Sequence, residues 1–241
     1  MKYFLLTVFF LSTLTQCTSP DRGNVTISGH VKGLKKGVLF LQKVRDSILI
    51  NIDSVVVDGT PEFTFITNIK EPEIHYLYLD KHDGAPFNDR ITFFAEPGII
   101  TIETSYNRFE NDAQINGGKN QQKYGEYMKM RKRFADRNLR ILKEDYEARK
   151  QNDEEKLLKN DVAYERLQKQ KYLYTVNFAV HNRKLQVAPY IAYNEIYDAN
   201  LAYLDTIANS LSPRVKRSIY GQRFLNLLET RKRKENISTA D

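Results

Sequence analysis

The chain has 241 residues, of which 41% are hydrophobic and 12% aromatic, and its formal net charge is +7. This composition supplies enough apolar side chains for one large or two small folded domains, and it excludes an intrinsically disordered chain. The single cysteine excludes an intramolecular disulfide framework, and the basic excess in the middle third of the chain raises the question of an anionic partner.

The first residues have the layout of an export signal. Lys2 provides a positive charge, and residues 3–14 form an apolar run that is too short to span a bilayer as a stable helix. The next stretch, LTQC at residues 14–17, resembles the end of a bacterial lipoprotein signal peptide. In that class the cysteine is lipid-modified and becomes the first residue of the mature chain. The start of the chain therefore predicts an exported protein.

Cys17 is the predicted lipid attachment site. A diacylglycerol thioether plus an N-acyl chain holds a protein durably at a membrane, because each buried CH₂ contributes about 0.8 kcal/mol. The stretch departs from the lipoprotein pattern at Gln16, where Gly, Ala or Ser is usual. The alternative is an ordinary signal peptide with which Cys17 is discarded. The first interpretation predicts a protein anchored to the outer membrane of a cell envelope.

An alternation of period two begins at Val25 and predicts a β-domain. Short runs rich in β-branched and aromatic residues follow at intervals of roughly ten residues, separated by Gly and Pro turn signals. The predicted strands lie at residues 25–32, 38–41, 48–57, 63–66, 74–79, 91–94, 99–103 and 113–115. Many short strands with regular turns predict an antiparallel β-sandwich or open barrel.

Several short motifs in this region occur in an order that resembles a known domain. They are Ile27-x-Gly29, Gly37 to Leu41, Ile52 to Val57, Phe63 to Phe65 with Glu71-Pro72 after it, Phe94 to Gly98, and Ile115 to Gly118. The series is similar to the N-terminal all-β domain of unknown function (DUF4369-like) of Bacteroidota lipoproteins. That domain usually precedes a thioredoxin-like domain, so the resemblance implies an envelope lipoprotein.

The resemblance would imply a thioredoxin-like redox site, but the sequence has no cysteine pair to form one. The chain stops at Asp241 without a CxxC motif, and its only cysteine is Cys17. Thiol–disulfide exchange needs a thiolate, so we expect no redox catalysis in this polypeptide. The sequence also contains no HExxH, no GxSxG and no phosphate-binding glycine loop. We expect no enzyme, with no catalytic residue, no metal site and no cofactor.

The composition changes after residue 118 to one rich in Lys, Arg, Glu, Gln and Tyr, which predicts helices. Residues 151–153 interrupt a long helical stretch, and Asp153 is suited to cap a second helix. This pattern predicts an antiparallel helix pair. Pro189 is predicted to start a shorter helix, and Ser212-Pro213 to start the last one.

Aromatic and basic residues alternate between Lys123 and Lys150. The residues concerned are Tyr124, Tyr127, Phe134 and Tyr146 among Arg131, Lys132, Arg133, Arg137 and Arg140. One interpretation is a nucleic-acid surface. The other is a helix pair whose tyrosines pack between the helices while the basic side chains are solvated. Because export takes a protein away from nucleic acid, we prefer the second and expect no nucleic-acid partner.

The sequence predicts an α+β protein whose chain is divided into five segments. They are a lipoprotein signal peptide (1–16), a tether (17–24), a β-sandwich domain (25–118), a helical domain (119–235) and a disordered tail (236–241). The favoured function is a membrane-anchored, non-enzymatic binding or interaction module, whose helical region binds a protein partner or a second copy.

Two alternatives to this function stay open. One is a glycan- or peptide-binding or processing protein with a site on the β-domain loops from Asp80 to Arg90, where His82-Asp83 and Asp89 also offer weak cation ligands. The other, by analogy alone, is an accessory to a separate thioredoxin-like protein. A deep pocket that gathers loop carboxylates would favour the loop site, whereas an exposed apolar patch along the helices would favour the interaction module.

Overall fold

The computed structural model describes residues 23–81 and 89–238. In these ranges eight strands precede six helices, so the predicted α+β class is confirmed. The strands are β1 (Val25–Lys32), β2 (Lys36–Arg45), β3 (Ile48–Asp58), β4 (Glu62–Thr67), β5 (Glu73–Asp80), β6 (Arg90–Ala95), β7 (Gly98–Ser105) and β8 (Gln114–Asn116). The helices are α1 (Lys119–Gln151), α2 (Glu154–His181), α3 (Val187–Glu195), α4 (Leu201–Ser210), α5 (Pro213–Lys216) and α6 (Ile219–Ser238).

The β-domain consists of two four-stranded sheets, with strand orders β4-β1-β7-β8 and β3-β2-β5-β6. The pairs are antiparallel except that β1 and β7 run parallel, which the sequence analysis did not predict. In this pair Gly29 lies opposite Ile102. A Cβ at Gly29 would lie 1.9 Å from the carbonyl oxygen of Ile102, so glycine permits the close approach of the two strands.

The core of the β-domain lies between the two sheets. Alternate residues of each strand point inward, as the period-two pattern predicts. Fully buried contributors from the two sheets include Ile27, Phe65, Ile100 and Ile102 on one side and Leu39, Leu41, Leu77 and Phe93 on the other. The structure therefore selects the sandwich over the open barrel.

Helices α1 and α2 form an antiparallel hairpin, as predicted. At about 1.5 Å per residue, their 33 and 28 residues give lengths of about 50 and 42 Å. The reversal uses Asn152 in the left-handed region, with φ of 52°, and the Asp153 carboxylate accepts a hydrogen bond of 3.0 Å from the Lys156 N–H. No helix in the described ranges is long and apolar enough to cross a membrane.

Two predicted helix starts need correction. Helix α3 begins at Val187, and Pro189 is its third residue, which is tolerated because a first-turn N–H has no partner within the helix. The helix that begins at Pro213 ends after four residues, and α6 starts separately at Ile219. The hydroxyl of Ser218 accepts a hydrogen bond of 3.1 Å from the Gly221 N–H, so this serine caps the new helix.

The two ends of the described chain extend slightly past the predicted domain limits. Asn24, at the end of the predicted tether, exchanges hydrogen bonds with the main chain of Ile69 at 2.8 and 3.0 Å. At the other end α6 continues to Ser238. The folded β-domain therefore begins within the predicted tether, and the last helix ends within the predicted tail.

Candidate functional site

The helices are attached to the outer face of the sheet that contains β5 and β6. A buried group of side chains from both domains, which we call the interdomain aromatic cluster, fills this contact. Its members are Ile74, Phe94, Tyr124, Tyr127, Phe178, Val187, Ile191 and Tyr220. This contact was not predicted from the sequence, although β5 and β6 carry apolar residues on both faces, which is typical of strands covered on both sides.

Phe94 is the centre of the interdomain aromatic cluster. Its ring centroid lies 5.7 Å from that of Tyr124, 5.3 Å from that of Tyr190 and 5.9 Å from that of Tyr220, all in edge-to-face geometry. Burial raises the pKa of Tyr124 to about 12 and also raises the pKa of Tyr190 and Tyr220. These hydroxyls therefore stay neutral, and the Tyr220 hydroxyl accepts a hydrogen bond of 2.7 Å from the Ile74 N–H.

Polar contacts also join the two domains. The main-chain and side-chain amides of Asn120 donate to the carboxylate of Glu96 at 2.8 and 2.9 Å. Because Gly118 provides no side-chain cap, Glu96 supplies the negative charge at the start of α1 from the other domain. The side-chain oxygen of Gln121 accepts a hydrogen bond of 2.8 Å from the Phe94 N–H. The start of α1 is thus specified by the β-domain.

The far half of the α1–α2 hairpin, which we call the hairpin tip (residues 135–168), differs from the base in the exposure of its apolar side chains. Ion pairs join the tip to itself, such as Arg149 with Asp145 at 2.8 Å and Lys159 with Glu155 at 2.6 Å. Large apolar side chains in the tip are nevertheless exposed. They are Leu139 (53%), Leu142 (53%), Tyr146 (59%), Leu158 (67%), Val162 (56%) and Tyr164 (42%).

The exposed side chains of α1 continue a face of the helix that is partly buried at the base of the hairpin. On α1, Met128, Ala135, Leu139, Leu142 and Tyr146 follow one another at intervals of three, four or seven residues, which places them on one side of the helix. Met128, at the base, packs on the interdomain aromatic cluster, whereas the other four are exposed. The tip therefore carries an apolar stripe that the rest of the described chain leaves open.

A cleft of about 800 Å³ lies where the two sheets separate beside α1. One wall is β6, with Ile91 and Thr92, and the opposite wall is the segment that leads into β8, with Ala113 and Ile115. Residues 121–132 of α1 close the third side. This cleft was not predicted from the sequence, because it forms only when two sheet edges and a helix from the next domain meet.

The loop site predicted from Asp80 to Arg90 is only partly within the described residues, since His82 and Asp83 lie outside them. Asp89 pairs with Lys81, whose ammonium lies 4.6 Å from the centroid of the Tyr106 ring. Arg90 lies over the rings of Tyr76 and Tyr78 on the outer face of the sheet, 5.9 and 5.5 Å from their centroids. Within residues 23–81 and 89–238, no group of three or more His, Cys, Asp or Glu side chains could hold a metal ion.

His75 is a titratable residue that is fully buried on the inner face of β5. Neither ring nitrogen has a hydrogen-bond partner in the described part of the chain, and Nε2 lies 3.9 Å from the carboxylate of Glu73. Burial lowers the pKa of His75, and the negative charge of Glu73 opposes this shift only in part. The carboxylate of Glu73 accepts a hydrogen bond of 2.9 Å from Lys43. His75 is therefore a neutral core residue.

The alternating aromatic and basic residues of α1 have different environments. Tyr124, Tyr127 and Phe134 are buried, so their rings are not available for base stacking, whereas Tyr146 is exposed. Tyr127 shares a hydrogen bond of 2.8 Å with Thr175 of α2, as expected for tyrosines that pack between helices. Cys17, the predicted lipid site, lies outside the described residues.

The fold and the contacts define a class of protein: a two-sheet β-domain with a helical domain docked on its outer face. Residues 25–124 match the family model described as Domain of unknown function (DUF4369), so the N-terminal domain is a DUF4369-like domain. The match ends at Tyr124 and thus includes the first turn of α1, with Asn120 and Gln121, that the β-domain holds. No curated protein and no solved structure matches the chain.

Proposed function

We propose that this protein is a membrane-anchored interaction module of the cell envelope, without enzymatic activity, whose hairpin tip binds a partner protein or a second copy. The observation that carries the proposal is the apolar stripe on the tip. Contiguous exposed apolar surface on a folded domain is typical of a protein interaction site. The stripe also continues a face that is already used for packing at the base, so its geometry suits a helical partner.

The anchor part of the proposal is supported by the sequence. Cys17 is the only cysteine, and it follows a charged residue and an apolar run of signal-peptide length. An anchor at Cys17 would place the β-domain next to the membrane, because Asn24 already belongs to the folded domain. The long hairpin would then present its tip at a distance from the point of attachment.

The interaction is tested by crosslinking in cells that express the full chain, followed by affinity purification. Four samples are compared: wild type, Cys17→Ala, the pair Leu139→Gln with Leu142→Gln, and a control pair, Arg140→Gln with Lys143→Gln. The control pair lies in the same stretch of α1 and is also exposed. We expect the same crosslinked species from the wild type and the control pair, and its loss from the leucine pair.

The anchor is tested in the same cells by fractionation and mass spectrometry. We expect the wild type in the membrane fraction with a lipid mass on Cys17, and Cys17→Ala in the soluble fraction. Two results would contradict the proposal. One is an unmodified N-terminus on a cytosolic chain, and the other is co-purification of glycan without any reproducible protein partner.

A further inference from the structure

The outer edge of β6 is open toward the cleft. β6 is the last strand of its sheet, and the Phe94 N–H donates to Gln121 of α1, so this N–H points away from β5. Main-chain groups alternate in direction along a strand. The N–H and C=O groups of Thr92 and Arg90 therefore point to this same edge, along which no other strand of the described residues is paired. An edge with unpaired main-chain groups is a template for another strand.

The cleft beside this edge has room for a strand. Its volume of about 800 Å³ is within the range of about 300–1,000 Å³ that is usual for ligand sites. On the helical wall, a Cβ built at Gly125 meets no atom within 4 Å. Glycine inside a helix is less stable than alanine, and packing within the described chain does not require it at this position. A ligand that passes close to the helix would.

The charges in the cleft favour an acidic ligand. Lys129 and Lys132 lie on the helical wall, and no carboxylate in the described part of the chain pairs with either of them. Glu126 of the same wall is paired with Lys123 at 2.7 Å, which leaves Glu110 on the opposite wall as the remaining acidic group. The partly buried Met128 adds an adaptable apolar surface beside the lysines.

We propose that this cleft binds an extended peptide segment with alternating apolar and acidic side chains, which adds to the sheet as a strand beside β6. Main-chain hydrogen bonds to Thr92 and Arg90 would provide affinity, and the alternate side chains would provide specificity. The apolar side chains would face Ile115 on the opposite wall, and the acidic ones would face Lys129 on the helical wall. This site lies in the β-domain and is separate from the hairpin tip.

The test uses the full-length chain in detergent micelles and a blocked, fluorescein-labelled hexapeptide of alternating valine and glutamate. Binding is followed by fluorescence anisotropy, and the edge of β6 by hydrogen exchange with mass spectrometry. We expect saturable binding together with slower exchange in the β6 segment. N-methylation of the peptide on one of its two hydrogen-bonding edges should abolish binding, and methylation on the other edge should not.

Two variants of the protein make the test specific. Thr92→Pro removes an N–H that points away from β5, so the ladder with β5 is kept while the free edge is blocked. Gly125→Leu fills the cleft from the helical side. We expect each to weaken peptide binding by about tenfold, which corresponds to the loss of about one hydrogen bond between uncharged groups or its equivalent in contacts. Arg140→Leu, on the same helix but outside the cleft, should bind as the wild type does.

Three results would overturn the proposal. The first is no saturable binding of the hexapeptide up to millimolar concentration. The second is unchanged binding in both Thr92→Pro and Gly125→Leu, with circular dichroism showing that both are folded. The third is protection of β6 that grows with protein concentration in the absence of peptide, because a second copy would then occupy the edge. The pair Leu139→Gln with Leu142→Gln should still bind the hexapeptide, so the two proposals fail independently.

Discussion

The base and the tip of the α1–α2 hairpin have the same kind of sequence and different environments. Both carry apolar residues at helical spacing and charged residues between them. At the base, Tyr124 and Tyr127 are buried against the β-domain and the shorter helices, whereas at the tip Leu139 and Leu142 are each 53% exposed. Helical periodicity therefore indicates which side of a helix is apolar. It does not indicate how far along the helix a partner covers that side.

The tip and the base of the hairpin are also stabilised by different interactions. The tip is stabilised by contacts between α1 and α2 and by ion pairs on its surface. Surface ion pairs contribute little to stability in water. The base is held by buried aromatic rings and by hydrogen bonds from another domain, such as those between Glu96 and Asn120. We therefore expect substitutions at the base to change the stability of the protein, and substitutions at the tip to change binding.

The largest expected effect is that of Phe94→Ala. Removing a fully buried ring at the centre of the interdomain aromatic cluster leaves a cavity, which should lower the free energy of unfolding by about 3–5 kcal/mol. Leu142→Ala at the tip should lower it by less than about 0.5 kcal/mol. Urea unfolding of the full chain measures both. Equal losses in the two variants would show that the tip is packed in solution.

The next effect is that of Glu96→Ala, which tests whether the β-domain specifies the start of α1. It removes a partly buried carboxylate that accepts two hydrogen bonds from Asn120, and we expect a loss of about 1.5–3 kcal/mol in the free energy of unfolding. Glu62→Ala, at an exposed position of β4, is the matched control and should change it by less than about 0.5 kcal/mol. If both variants unfold at the same urea concentration, the capping role is wrong.

The smallest effect is a pH dependence that arises in the β-domain beneath the base. Because burial lowers the pKa of His75 below 6.5, the unfolded chain takes up this proton at a higher pH than the folded chain. The stability that neutral His75 contributes is complete above about pH 6.5 and decreases as the pH falls toward the folded pKa. The free energy of unfolding should therefore decrease over this range.

The His75→Leu variant isolates this contribution. It should lose part of the decrease in the free energy of unfolding between pH 7 and pH 5, because no titrating group is left at this position. His181→Gln, which changes an exposed histidine at the end of α2, should retain the decrease. Identical pH profiles for the wild type and His75→Leu would show that the buried imidazole does not titrate differently in the folded and unfolded chains.

Much of the fold could be predicted because its signals are local. The period-two runs place every described strand within a few residues of its observed bounds, and the cap at Asp153 marks the hairpin turn. The parallel pairing of β1 with β7 could not be predicted, because strands far apart in sequence do not encode their mutual direction. The split between α5 and α6 was also missed, since it depends on a single capping serine, Ser218.

The candidate sites were less predictable than the fold. A partner surface on the helical region was predicted from the sequence, and we propose that it lies at the hairpin tip because Leu139 and Leu142 are exposed there. The cleft beside β6 could not be predicted, because Thr92 and Gly125 line the same cleft only after the domains have docked. The predicted anchor at Cys17 and the loop residues His82 and Asp83 lie outside the described residues.

The sequence by itself determined the α+β class, the order of strands and helices and the position of the hairpin turn, because propensity, periodicity and capping act within a few residues. Only the tertiary structure decided which apolar faces are buried. The docking of α1 on Phe94 covers the base of the hairpin and leaves its tip open, and it places the helix beside the free edge of β6. Burial is a property of residues that meet in space, and residues 94 and 220 meet here across more than half of the chain.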